Sequence, residues 1–203
     1  MIKKIVLTAI ALVSFLSVNA QAAISEDVVK ETIVKHSMEM GIDPALALSI
    51  AKKESGFKHE LKSPYGAVGV FQLLPSTAKR IGFNPYYLSD NVKAGLTYYK
   101  MMYKMFGSTE LALAAYNAGP GNVKKYGGTI PPFQETKRFV NVIMQDYHNQ
   151  KTNPDPAIAK YSKKTAIAPD KQAELVKPKK EYDLPDLKEI PDTRQSDPVM
   201  EIL

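Results

Sequence analysis

All eleven glycines of the chain fall between residues 23 and 150, most of them where helical patterns stop. This punctuation limits the possible folds more than any other feature. Between the glycines, apolar residues recur at the three- and four-residue intervals of a helix, and no run has the period of a strand. Ser25 is placed to cap a helix that ends at about Met40, before Gly41. Asp43-Pro44 pairs a capping side chain with a proline at the first helical position, which predicts a second helix ending at Glu54-Ser55-Gly56. Pro75 opens a short helix that Gly82 closes. From Asp90 a long helix carries Val92, Leu96, Tyr99, Tyr103 and Phe106 as one stripe, read as core rather than as a sugar platform. A strongly apolar helix covers Leu111 to Ala118, and a last one runs from Gln134 or Glu135 to about His148 with Phe139, Val142 and Ile143 facing inward. The predicted fold is mainly α, with a loop-rich section at 56–74.

The ends read differently. Lys3 and Lys4 precede the uncharged run Ile5 to Val18, and Ala20-Gln21-Ala22 has the form of a cleavage site. The run falls short of the ~20 residues that a membrane span needs, so residues 1–22 read as a secretory signal peptide, and the chain meets a membrane only if that signal stays uncleaved. Residues 23–150 form the predicted domain. Residues 151–203 hold seven of the fourteen prolines, no glycine, and ten basic against ten acidic residues. Such a composition predicts a disordered tail, a solvated spacer or a docking segment, with Glu181-Tyr182-Asp183-Leu184 and its neighbours the best anchor.

Composition also removes chemistries. The chain has no cysteine, which excludes disulfides, thiolate metal sites and a cysteine nucleophile. His36, His59 and His148 are scattered without metal-ligand spacing, and neither a G-x-S-x-G elbow nor a phosphate-binding glycine loop is present. No metal or cofactor is expected. Without Lys3 and Lys4, 25 of the 27 basic residues remain against 21 acidic ones, a surplus too small and scattered to argue for nucleic acid.

What remains is a carboxylate. Glu54 stands at the negative end of the second helix, where the macrodipole opposes ionisation. A carboxyl kept protonated there can donate to a leaving-group oxygen. Taken alone, this is equally the position of an ordinary solvated glutamate.

The segments that follow are distinctive as an ordered set. Glu54-Ser55-Gly56 is followed by Ser63, then by Gly66, Gly69, Phe71, Gln72 and Pro75, then by Tyr116-Asn117-Ala118-Gly119, then by Glu135-Thr136. Over residues 25–148 this order resembles the soluble lytic transglycosylases of bacterial cell walls, whose catalytic domain is lysozyme-like. The resemblance implies that Glu54 is the catalytic glutamate, that Ser63 hydrogen-bonds near it or near the substrate's N-acetyl group, and that Gln72 lies in the glycan cleft. It also implies that Tyr116 and Asn117 belong to the motif whose tyrosine sits beside the glutamate, and that Glu135 supports the site. Phe71 stands where methionine is common and is read as a cleft wall. Phe139 stands where the family often has tyrosine. Gly66 and Gly69 are read as allowing backbone to approach a flat glycan, and Ser55 and Gly69 as supporting the site.

The resemblance further implies a peptidoglycan strand as substrate and, with the signal, an exported protein in the periplasm of a Gram-negative bacterium. Most glycosidases need two carboxylates, and only Glu60 and Glu135 offer themselves as a second. A lytic transglycosylase works with one. The alternatives are a lysozyme-type hydrolase and a non-catalytic wall-binding component. Residues 151–203 offer a way to dock on a secretion, conjugation or flagellar assembly.

Overall fold

The capping signals act where they stand. In the computed structural model, which describes residues 23–164, the Ser25 hydroxyl accepts from the Val28 amide and starts helix α1, Glu26–Glu39. The Asp43 carboxylate accepts from the Ala45 amide at 2.9 Å and starts α2, Pro44–Ser55, with proline at its first position. Short α3, Pro75–Arg80, follows the loop. The long α4, Leu88–Phe106, ends at Gly107 in the left-handed conformation, where a side chain would be strained. Ser108 then caps α5, Thr109–Ala118. α6, Pro120–Lys125, starts directly from Gly119, and α7 covers Gln134–Thr152. A final α8 covers Pro156–Lys164. Among the described residues no strand forms; the loop contains only the isolated bridges Lys62–Val68 and Val68–Leu73.

α5 is the centre of the packing. It lies against α4, α6 and α7, while α2 is held between α1 and α7. Leu113, Ala114, Ala115 and Tyr116 are fully buried, as a helix apolar on most sides requires. The α4 stripe is buried at Val92, Leu96 and Tyr99. Its later members differ from expectation: Tyr103 is exposed and Phe106 only partly covered. The buried face of α4 extends instead through Tyr98, Met101 and Met102, which leaves Tyr103 at its edge. On α7, Phe139 and Ile143 are buried as predicted, but Val142 is exposed and Val140 takes the inward place. The face between α2 and α5 is centred on Thr136, Phe139, Val140 and Ile143, and Val142 lies beyond its edge.

Two predictions about segments need correction. Gly119-Pro120-Gly121 does turn the chain, but Pro120 also opens a helix, because its missing N–H costs nothing at a first position. The disordered tail does not begin at 151. α7 continues to Thr152 and α8 packs on α1, with Ala157 buried, Asp155 paired to Lys30 and Lys160 paired to Glu31. α8 is amphipathic, with Ala157, Ile158 and Tyr161 turned to the core, and α1 supplies the surface and the charged partners it packs against. Residues 1–22, read from the sequence as a signal peptide, and residues 165–203 lie outside the described residues.

Candidate active site

The end of α2 is built abruptly. Gly56 has φ 58° and ψ 38°, and Phe57 also has a positive φ of 64°. Two successive left-handed residues turn the chain off the helix axis within one peptide, so Glu54 sits in the last turn. Its side chain is partly buried, and Oε1 is withdrawn from solvent. Both neighbours of Glu54 are anchored. The Ser55 hydroxyl donates to the Val70 carbonyl at 2.9 Å, tying the helix end to the loop. The Lys53 ammonium lies 5.6 Å from the centroid of the Phe139 ring.

The loop from Ser63 to Leu74 folds on backbone contacts. Gly66 donates to the Ser63 carbonyl, the Ser63 amide to the Ala67 carbonyl, and the Ser63 hydroxyl accepts from the Ala67 amide at 3.1 Å. Ser63 therefore shapes the turn with its own side chain and keeps its hydroxyl proton for another acceptor. Gln72 is buried with a positive φ of 44°, and its amide nitrogen donates to the carbonyls of Leu61 and Gly69 at 3.1 and 2.8 Å. Both of its N–H groups are thus spent on the loop, and only its oxygen remains to meet a ligand.

Phe71 is not a cleft wall. Its ring is fully buried over Gly95 of α4, where an added Cβ would stand 2.2 Å from the ring. The missing side chain at Gly95 is the space that the ring fills. Gly69 is likewise required for a reason other than the one expected: an added Cβ would meet the Asn91 amide at 2.2 Å. The close approach is to Asn91, not to a glycan. Asn91 is itself fully buried, accepts from the Phe71 amide at 2.9 Å, and donates to the carbonyls of Val68 and Pro85 at 2.9 and 3.0 Å. It holds three points of the loop from one side chain.

Tyr116 completes the arrangement. Fully buried, it donates its hydroxyl to the Phe71 carbonyl at 2.8 Å and stacks on Phe139 with ring centroids 6.4 Å apart and planes inclined by 11°. Ser55 and Tyr116 therefore bind consecutive carbonyls, Val70 and Phe71, and Glu54 precedes Ser55. Asn117 accepts from the Thr136 hydroxyl at 2.8 Å, which joins α5 to the start of α7. The Glu-Thr segment supports the site through Thr136; Glu135 itself is exposed in the first turn of α7.

Glu60 and Asp146 are engaged elsewhere. Glu60 accepts from the Ile24 amide at 3.0 Å, and that bond holds its carboxyl below the usual range. Asp146 loses solvation on burial, but Lys52, Gln150 and Ser49 outweigh the loss and hold it low as well. Among the described residues no group of three His, Asp or Glu is placed to hold a metal ion.

Residues 31–138, just over half of the chain, match the family model of the transglycosylase SLT domain. The chain belongs to the transglycosylase SLT family. A soluble lytic murein transglycosylase of Escherichia coli K12 is 34% identical over 130 residues, covering 52% of this chain and 20% of its own length. The crystal structure of the 70-kDa soluble lytic transglycosylase of E. coli matches with a TM-score of 0.55 at 27% identity, covering 63% of this chain and 25% of that one. An inactive glutamate-to-glutamine mutant of the lytic transglycosylase Slt of Pseudomonas aeruginosa matches with a TM-score of 0.54 at 26% identity, covering 62% and 25%. The SLT chain thus spans about a fifth to a quarter of the length of these relatives, and its fold is the lysozyme-like one that the resemblance implied.

Four residues of the candidate site are not evident from the sequence: Asn91, Gly95, Thr136 as the contact residue, and Lys53 as a residue on Phe139. Two had a local signal. A glycine inside a helical pattern marks close packing, and Asn91 is a polar residue beside the apolar stripe of α4.

Proposed function

We propose that this chain cleaves the glycosidic bond after N-acetylmuramic acid in peptidoglycan and leaves a 1,6-anhydro end. Glu54 is its acid and base. The observation that carries the proposal is the placing of Glu54 between anchored neighbours at the negative end of α2, with one oxygen withdrawn from water. That position favours the neutral acid that the first step needs. The inactive glutamate-to-glutamine mutant of a structural relative supports the same reading.

In the first step the Glu54 carboxyl protonates the glycosidic oxygen and the bond to C1 breaks. The substrate's own N-acetyl oxygen stabilises the positive charge at C1. In the second step the Glu54 carboxylate takes the proton of the C6 hydroxyl, and O6 bonds to C1. The proton returns to Glu54, and no water is consumed. The engagement of Glu60 with Ile24, and of Asp146 with Lys52, supports a one-carboxylate route over hydrolysis. Ser63, with a free hydroxyl proton, and the oxygen of Gln72 are the groups we assign to the acetamido sugars, and Asn117 to the wall of the cleft. Export to the periplasm through residues 1–22 belongs to the same proposal.

Digestion of purified sacculi with mass analysis of the products tests it. Anhydro-muropeptides are the expected result. Reducing-end products alone would mean hydrolysis, and no products a wall-binding role. Glu54→Gln should keep the fold by circular dichroism and lower the cleavage rate by about 10³-fold or more. Near wild-type turnover in that variant would remove Glu54 from the mechanism.

A further inference from the structure

Four lysines of the described residues have a carboxylate partner. Lys52 pairs with Asp146, Lys151 with Asp43, Lys160 with Glu31, and Lys30 with Glu26 and Asp155. Lys53 is different. It is partly buried, it directly precedes Glu54, and among the described residues no carboxylate lies within ion-pair distance of it. Its ammonium rests over the Phe139 ring, which is buried and stacked on Tyr116. Glu135, one turn before Phe139, is exposed and does not reach it.

An aromatic face holds an ammonium in place without neutralising it. The charge and the N–H donors stay available. Phenylalanine at 139 suits this role, because it has no hydroxyl to compete for those donors. The partly buried ammonium is left free to take a carboxylate from outside the described residues. N-acetyl sugars are uncharged, but a peptidoglycan strand carries carboxylates, either on the lactyl ether of a bare muramic acid or on its peptide stem.

We propose that Lys53, seated on Phe139, is an anion subsite beside Glu54 that takes a carboxylate of the strand. The proposal rests on the reading of Glu54 above and deepens it from a glycan to a carboxylate-bearing glycan. It gives the site a means of telling a muramic-acid strand from a neutral polymer of N-acetylglucosamine.

Calorimetric binding in a Glu54→Gln background, which prevents turnover, tests the subsite with three probes: peptide-bearing strands, strands stripped of peptide by an amidase, and a chito-oligosaccharide with no carboxylate. Lys53→Met should weaken one of the two strand probes about tenfold. Which one weakens identifies the lactyl or the stem carboxylate. The chito-oligosaccharide should be unaffected, and Lys53→Arg should restore most of the loss. Lys52→Met removes the same charge from a residue already paired with Asp146 and should move no probe. Equal weakening on all three probes, no weakening on any, or an equal effect of Lys52→Met would overturn the subsite. Lys53→Gln replaces the methionine variant if that one does not fold. Cleavage of sacculi by the unmodified chain is measured alongside. If it fails, the transglycosylase reading falls; if it succeeds while Lys53→Met binds normally, only the subsite falls.

Discussion

Removing the Asn91 carboxamide would strand three buried or loop-forming backbone groups at once: the Phe71 amide and the carbonyls of Val68 and Pro85. Each such group loses its partner without regaining water. Asn91→Ala should therefore cost on the order of 2–4 kcal/mol in urea unfolding. Gly69→Ala attacks the same contact from the other side, with a Cβ driven onto the Asn91 amide and a φ of 79° that an L side chain resists. It should cost about 2 kcal/mol or more. The two losses should not add, because Asn91→Ala opens the space that the new methyl needs. A double variant as unstable as the sum of the singles would contradict this account. Both changes should lower cleavage as well, since the loop they loosen presents the Val70 and Phe71 carbonyls to Ser55 and Tyr116.

Between elements, one buried titratable contact sets a pH dependence. His36 on α1 is buried; one ring nitrogen meets Glu39 at 2.8 Å and the other meets Ser89 of α4 at 2.9 Å. Desolvation pushes its pKa below the ordinary value; Glu39 opposes this, and Lys93 and Lys35 add to it. The unfolded chain therefore binds a proton more readily than the folded one. The contribution of His36 is complete above about pH 6.5 and is lost as pH falls through the window below it. Melting temperature should fall between pH 7.5 and 5.5, and His36→Gln should flatten that fall. Asp146 is depressed too, but its window lies below the ordinary carboxylate value of 3.8, outside this range. α8 supplies a second element-scale test. Ending the chain after Asn153 removes Ala157, Ile158 and Tyr161 from α1, together with two ion pairs, and should cost about 2 kcal/mol. Ending it after Lys164 should leave the melting temperature unchanged. Equal stability of the two truncations would mean that α8 does not belong to the folded domain.

At the scale of the molecule, α2, α4 and α5 hold one loop between them, α7 backs α5 through Thr136 and Phe139, and the candidate site is where they meet. Deleting residues 165–203 should leave sacculus digestion within about twofold, because the hydrogen bonds that build the candidate site run among Ser55, Val70, Phe71, Asn91, Tyr116, Asn117 and Thr136. Loss of a wall-spanning process with digestion intact would assign that segment to docking, and loss of neither would remove it from function. The sequence by itself determined most of the helices and singled out Glu54 as the candidate acid. Caps, prolines and glycines act within a few residues, so Ser25, Asp43, Gly56 and Gly107 could be read directly, and the ordered segments from Glu54 to Thr136 carried the family. Only the tertiary structure decided what the other site residues do. Phe71 turned inward because Gly95, 24 residues away, leaves it room. Gln72 gave its donors to the loop rather than to a ligand, Thr136 rather than Glu135 joined the site, and Lys53 found an aromatic face 86 residues on. A local pattern fixes backbone conformation; it does not fix which distant side chain fills a given space or takes a given proton, and that choice is made only when the helices pack.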